Sequence, residues 1–174
     1  MPKKLKQHRD PQLETSGEVI GFYEREFYPF SNFSSFEVKW HGRVWKTAEQ
    51  AYQASHFFDT APELVEEIIT ATSAHEAYKI AKSNAEKAPR NWEDIKIDIM
   101  EDICEHKLQQ HPYVQRKLLQ TKDLLMIEDS PKDSFWGWGE GRKGRNELGK
   151  VWMKLRGKLN SSINEETEKE LLTD

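Results

Sequence analysis

Two acids far apart in the chain, Glu49 and Asp133, accompany the aromatics Phe33, Trp45, Trp92, Trp136 and Trp138 and the basic residues Lys107, Arg142, Lys143 and Arg145. Aromatic faces stack on a base, basic groups or backbone amides hold phosphate, and carboxylates stabilise a ribosyl cation or activate water. These residue types suit cleavage at a nucleotide-like anomeric carbon, by the two-carboxylate logic of glycosidases. The densest stretch runs from Trp136 to Asn146, with two tryptophans and four glycines in eleven residues. Two readings of it stay open. Either its glycine backbone approaches a ligand while indoles stack on it, or a buried Trp anchors a glycine turn. Glu49, Gln53 and His56 fall at i, i+4 and i+7 and share one helix face, beside the small residues Ala48, Ala51 and Ser55. The alternative for Glu49 is that it only complements the helix dipole in the first turn.

Other chemistries lack their signatures. The six histidines have no paired ligand spacing and His-Glu-x-x-His is absent, so no metal site is expected. No nucleophile elbow, P-loop or dinucleotide fingerprint is present, and Gly137-x-Gly139-x-Gly141 comes near the C-terminal end instead of after a first strand. No cofactor is expected. The single cysteine, Cys104, excludes an internal disulfide and a thiolate cluster, and falls mid-helix as a small core residue. A net charge of −4 argues against a surface that binds polyanions wholesale, leaving only a local basic patch. No apolar run reaches membrane-spanning length and the basic N-terminus lacks a hydrophobic signal core, so a cytoplasmic protein with no membrane partner is expected.

The elements that must position these residues follow from pattern. Residues 1–17 are polar and without period and are expected to form a flexible arm. A folded domain is expected over 18–160 and an acidic flexible tail over 161–174. Val19 to Phe22 suggests a short strand. Phe36, Val38 and Trp40 alternate, His41-Gly42 has turn chemistry and Val44-Trp45 follows, which predicts a hairpin with Glu37, Lys39 and Arg43 outward. Capping-box spacings at Thr47/Gln50, Thr60/Glu63 and Ser73/Glu76 predict helices over 48–58, 61–70 and 74–82. Asn91 is placed to cap a longer helix with Trp92, Ile95, Ile99 and Ile103 inward, and Pro112 to open another. Leu124 to Ile127 suggests a buried strand. Leu148, Val151, Trp152, Leu155 and Leu159 predict a final helix over 147–159. The fold class is α+β, a predominantly helical single domain with a small N-terminal hairpin or sheet.

From about Gly21 to Leu159 the chain resembles the NADAR family, also described as YbiA-like. The matching motifs are Phe30-Ser31-Asn32-Phe33, Trp45-x-Thr47-x-Glu49 running into Tyr52-Gln53-Ala54, Asn91-Trp92 and Lys107. They continue with Leu118-Leu119-x-Thr121, Glu128, Asp133-x-x-Trp136-Gly137-x-Gly139, Gly144-x-Asn146-x-Leu148-Gly149 and Arg156. The resemblance implies hydrolysis of N-glycosidic bonds. Family members are described as acting on phosphoribosyl-amine intermediates of riboflavin biosynthesis, or as removing ADP-ribose from modified guanine in nucleic acid. Carried over by position, the catalytic residues are Glu49, Asp133 and Lys107. Glu49 would position ribose, stabilise the cation or activate water, and Asp133 would orient ribose hydroxyls or share acid–base work. Lys107 would bind phosphate or, in a ring-opened mechanism, attack the aldehyde as an amine. Substrate-binding roles fall to Asn32, Phe33, Trp45, His56, Trp92, Glu128, Trp136, Gly137, Trp138 and Asn146.

Three positions depart from relatives. His56 stands where many carry lysine, Ala81-Lys82 where a Gly-Arg pair occurs, and Trp138 where some have an acid. Trp138 adds a stacking surface, and Arg142, Lys143 and Arg145 offer cations to a nucleic-acid backbone. The expected substrate is therefore ADP-ribosylated guanine in DNA or RNA, with functional pairing to a toxin-like ADP-ribosyltransferase. The alternatives are a riboflavin-pathway phosphoribosyl-amine, and a non-catalytic ADP-ribose-binding module.

Overall fold

A computed structural model describes residues 19–23 and 25–172, the side chains of Arg25 and of 167–172 excepted. The expected arm over 1–17 lies outside the described residues. Backbone contacts group the chain into two compact units, Tyr28–Val114 and the combination of Met1–Phe27 with Gln115–Asp174. The class is α+β and predominantly helical, as the patterning predicted.

The central unit, Tyr28–Val114, is built on α1, Ala48–Ser55, every residue of which is buried. Its alanines and serine let neighbouring helices approach its backbone closely. Helices α2 (Pro62–Thr70), α3 (Ala74–Ser83) and α4 (Trp92–Gln110) all pack on it. Thr47 caps α1 by accepting the Gln50 amide N–H, while Gln50 Oε1 takes the Lys46 N–H. Ser73 caps α3 in the same way through the Glu76 N–H, with Glu76 reaching back to Thr72. The predicted box at Thr60 does not form. Ala61 occupies the N-cap of α2 without a side-chain bond, and Pro62 starts the helix with a preset φ and no amide to satisfy. Asn91 likewise precedes α4 without making a capping bond.

Strands β2 (Val38–Trp40) and β3 (Arg43–Trp45) pair antiparallel around His41 and Gly42, whose φ angles of 50° and 71° fit a tight hairpin turn. The register sets Trp40 opposite Arg43, so Arg43 lies on the face of Val38 and Trp45 instead of the predicted outward one. Its guanidinium reaches Glu66 at 2.6 Å, while Val44 points outward with Lys39. Gln110 at the end of α4 continues the hairpin edge, its amide accepting the Lys39 N–H and donating to the Lys39 carbonyl. The inward residues of α4 are Trp92, Met100, Ile103, Cys104, Lys107 and Leu108. Ile95 and Ile99, expected inward, are half-buried, because the buried stripe follows Met100 and Cys104. Burial pushes the Cys104 thiol up to about 12, which makes it an inert core group.

In the other unit, β1 (Val19–Phe22) pairs in parallel with β4 (Leu125–Glu128), more than a hundred residues later. Helix α5 (Pro112–Gln120) leads toward β4. The last helix, α6 (Glu147–Leu172), packs on β4 through Leu148, Val151, Trp152 and Leu155. It continues well past the expected end at 159. Arg156, nearly buried, donates to Thr121 Oγ1 at 2.8 Å and to the Leu124 carbonyl at 2.9 Å, tying α6 to the turn before β4.

Candidate active site

In the central unit, a chain of short contacts joins four of the predicted residues. The Glu49 amide donates to the Asn32 carbonyl at 2.9 Å, which fixes the Phe30–Phe33 turn against the start of α1. Glu49 is only 6% exposed, and its Oε1 accepts from Gln53 Nε2 at 2.6 Å. One turn further on, His56 Nδ1 sits 3.1 Å from the carbonyls of both Tyr52 and Gln53. Those carbonyls can only accept, so Nδ1 carries the proton and Nε2 is left as the acceptor. The imidazole lies against Trp92 with ring centres 3.7 Å apart at 30°, and Tyr52 packs edge-on to it at 5.2 Å. A buried carboxylate thus shares a helix face with an aromatic wall, a combination able to stabilise positive charge beside a stacked base.

Burial drives the His56 imidazole down to about 4, with Lys96 adding repulsion and Glu93 opposing it. Its folded value lies below the ordinary 6.5, so the unfolded chain binds the extra proton between those two pH values. Stability from this group is complete above about pH 6.5 and drains away as pH falls to 4, by up to about 3 kcal/mol. His56→Phe, which keeps an aromatic ring but cannot titrate, should flatten that part of the profile. Urea denaturation at a series of pH values measures the difference. Equal slopes for the two proteins would exclude His56 as the source.

Lys107 does not fit its predicted role. Its side chain has no exposed surface, and its ammonium donates to Ser34 Oγ at 2.7 Å and to the Ser31 carbonyl at 3.1 Å, with the Phe36 ring 5.3 Å away. Neither a phosphate nor an aldehyde has access to it in this conformation. It braces the turn that carries Asn32, and desolvation lowers it to about 8. Trp45 is also corrected. It is fully buried, with its indole N–H on the Trp40 carbonyl, and is a core residue without a face for substrate. Asn32 is buried and its amide donates to the Met100 sulfur at 3.2 Å, whereas Phe33 is 42% exposed.

In the other unit, Glu128, Asp133, Trp136, Gly137, Trp138 and Asn146 are gathered by a loop folded on its own backbone. Asp133 Oδ1 accepts the amides of Phe135 and Trp136 at 2.8 and 2.7 Å, an Asx turn that starts the loop. Amide N–H groups of Trp138, Asn146 and Leu148 then donate to the carbonyls of Glu128, Gly137 and Trp136. The glycines serve this packing. A Cβ on Gly137 would lie 2.5 Å from the Glu128 carbonyl oxygen, and one on Gly144 2.5 Å from that of Gly137. Gly137 is therefore accounted for by close approach of protein backbone, where sequence had suggested approach of a ligand.

Asn146 is corrected in the same way. At φ 54° its side chain accepts the Glu128 N–H and donates to the Met126 carbonyl, acting as an extra strand neighbour for β4. Trp136 is half-buried and meets Phe135 edge-on at 4.9 Å. Trp138 is half-buried too, with the Arg142 guanidinium 5.7 Å from its ring centre. Arg145 is tied to Glu147 at 3.0 Å and lies over Phe135, and Lys143 is exposed. Gln53 lies beside Glu49 although it was not among the residues expected at the site; its i+4 spacing from Glu49 carried the signal.

The fold and these two clusters define a small α+β protein with a buried carboxylate beside stacked aromatics. Residues 21–160 match the NADAR domain, and the chain belongs to that family. It is 32% identical to the N-glycosidase YbiA of Escherichia coli (strain K12) over 81% of this chain and 88% of that one. It is also 32% identical to the N-glycosidase Npun_R5314 of Nostoc punctiforme, covering 83% and 95% of the two chains. The chloroplastic riboflavin biosynthesis protein PYRR of Zea mays matches at 32% identity over 88% of this chain and 27% of its own length. The NMR structure of E. coli YbiA superposes with a TM-score of 0.77 at 32% identity, covering 84% of this chain and 88% of that one. The chain is accordingly an enzyme, a hydrolase of N-glycosyl bonds.

Proposed function

We propose that the chain cleaves the bond between a ribose anomeric carbon and the nitrogen of an ADP-ribosylated guanine in DNA or RNA. In this reading Glu49 is the catalytic carboxylate. As the C1′–N bond breaks and its electron pair leaves with nitrogen, the carboxylate stabilises the ribosyl cation and takes a proton from the attacking water. The water oxygen bonds to C1′, and the leaving nitrogen takes up a proton. Trp92, packed against His56, would form part of the wall beside the base. Asp133 shapes its loop through Oδ1, which accepts two backbone amides. A transferase that attaches ADP-ribose to guanine is the class of reaction that would supply this substrate.

The observation that carries this substrate choice is the Trp138–Arg142 pair, a half-buried indole under a guanidinium. Such a pair suits a nucleotide stacked beside a phosphate. Incubating the protein with an oligonucleotide bearing ADP-ribosyl-guanine and following ADP-ribose release by mass spectrometry tests the reading. Trp138→Ala should weaken hydrolysis of the oligonucleotide by about tenfold or more, from about 1–3 kcal/mol per stacked base, and affect a free modified nucleotide less. Equal losses on both would remove the preference for nucleic acid. The riboflavin-pathway phosphoribosyl-amines are the second reading, favoured by the names of the maize relative and of a Vibrio vulnificus riboflavin biosynthesis protein at 34% identity. Release from those amines alone would select it.

A further inference from the structure

We propose that Gln53 is a positioning residue for the reaction, acting through Glu49, on whose catalytic assignment this inference rests. The two side chains lie one turn apart on α1, and Gln53 Nε2 meets Glu49 Oε1 at 2.6 Å with both residues at least nine-tenths buried. An exposed Gln–acid pair at this spacing contributes only a few tenths of a kcal/mol to a helix. Inside a helix whose every residue is buried, the same bond selects one carboxylate rotamer and is strengthened by the charge of its acceptor. The amide is suited to this because it donates a proton it never gives up. A histidine or acid in its place would exchange protons with Glu49.

The backbone of Gln53 extends the arrangement. Its carbonyl is one of the two that orient His56 Nδ1, and the His56 ring in turn packs against Trp92, tilted by 30°. One residue thereby sets the carboxylate through its side chain and the base-stacking wall through its main chain. Only the first link is removed by substitution of the side chain, which makes it separable by experiment.

The test is a double-mutant cycle between Gln53→Met, nearly isosteric but without a donor, and Glu49→Asp, whose shorter side chain withdraws the carboxylate from the amide. Turnover is measured on the substrate that the wild-type protein hydrolyses, over long incubations for slow variants. Gln53→Met alone should lower kcat by about ten- to a hundredfold, the weight of one hydrogen bond to a charged group, with KM changed less than about threefold. In the Glu49→Asp background the same change should cost less than about twofold, because the contact is already gone. A purely structural role would give equal factors in both backgrounds, and that result overturns the inference, as does wild-type kcat in Gln53→Met. Wild-type kcat in Glu49→Gln, which removes the charge, would instead overturn the assignment of Glu49 itself. Should Gln53→Met fail to fold, Gln53→Leu runs the same cycle, removing the donor without adding a group that titrates.

Discussion

Glu49→Gln is expected to lower kcat by about 10²–10⁴-fold, the usual weight of an acid–base group, while the protein stays folded. The replacement keeps the shape, and a glutamine oxygen can still accept from Gln53. What disappears is the negative charge facing the ribosyl cation and the capacity to take a proton from water. Stability should change by no more than about 1 kcal/mol, or about 2–4 °C in Tm for a chain of this size. Turnover on either substrate class, with circular dichroism as the control for folding, decides the matter. A variant that is folded and turns over at the wild-type rate would remove Glu49 from the reaction. Burial alone does not make a carboxylate catalytic, which is why charge is changed here at constant shape.

Gly149→Ala should be the most damaging small substitution in the other unit, although it exchanges glycine for the best helix former. In an open helix position that exchange stabilises by about 0.5–1 kcal/mol. At Gly149 the added Cβ would lie 2.2 Å from the Met126 carbonyl oxygen and 2.4 Å from Asn146 Nδ2. Both atoms belong to the bridge by which Asn146 holds β4, so neither can yield without breaking it. Overpacking of this kind costs about 1–3 kcal/mol or more and outweighs the gain in propensity. Gly157, on the same helix with nothing within 4 Å, is the control, and Gly157→Ala should raise stability by about 0.5–1 kcal/mol. Thermal denaturation of the two variants should therefore move Tm in opposite directions. Two shifts of the same sign would mean that the close approach at Gly149 does not constrain the helix.

Local patterning was a good guide wherever neighbours in sequence decide the outcome. The Thr47 and Ser73 caps, the His41-Gly42 turn and the amphipathic start of α6 each depend on groups within a few residues of one another. The same local spacing places Glu49, Gln53 and His56 on one helix face. Where an alternative first-turn group was at hand, local spacing misled, as at Thr60, where Pro62 made a cap unnecessary.

Alone, then, the sequence determined the helical class, most helix starts, the family and the spacing that aligns a carboxylate with a histidine. Only the tertiary structure decided which of the matched residues hold the scaffold. Lys107 proved to brace a turn, Trp45 to fill the core, and Asn146 and Gly137 to serve packing around β4. The pairing of β1 with β4 was equally hidden, because parallel strands so far apart leave no mark on the residues between them. The physical reason is common to all of these. Residue type and spacing report which contacts a side chain can make, but burial and the partners that satisfy its polar atoms are set by segments distant in the chain.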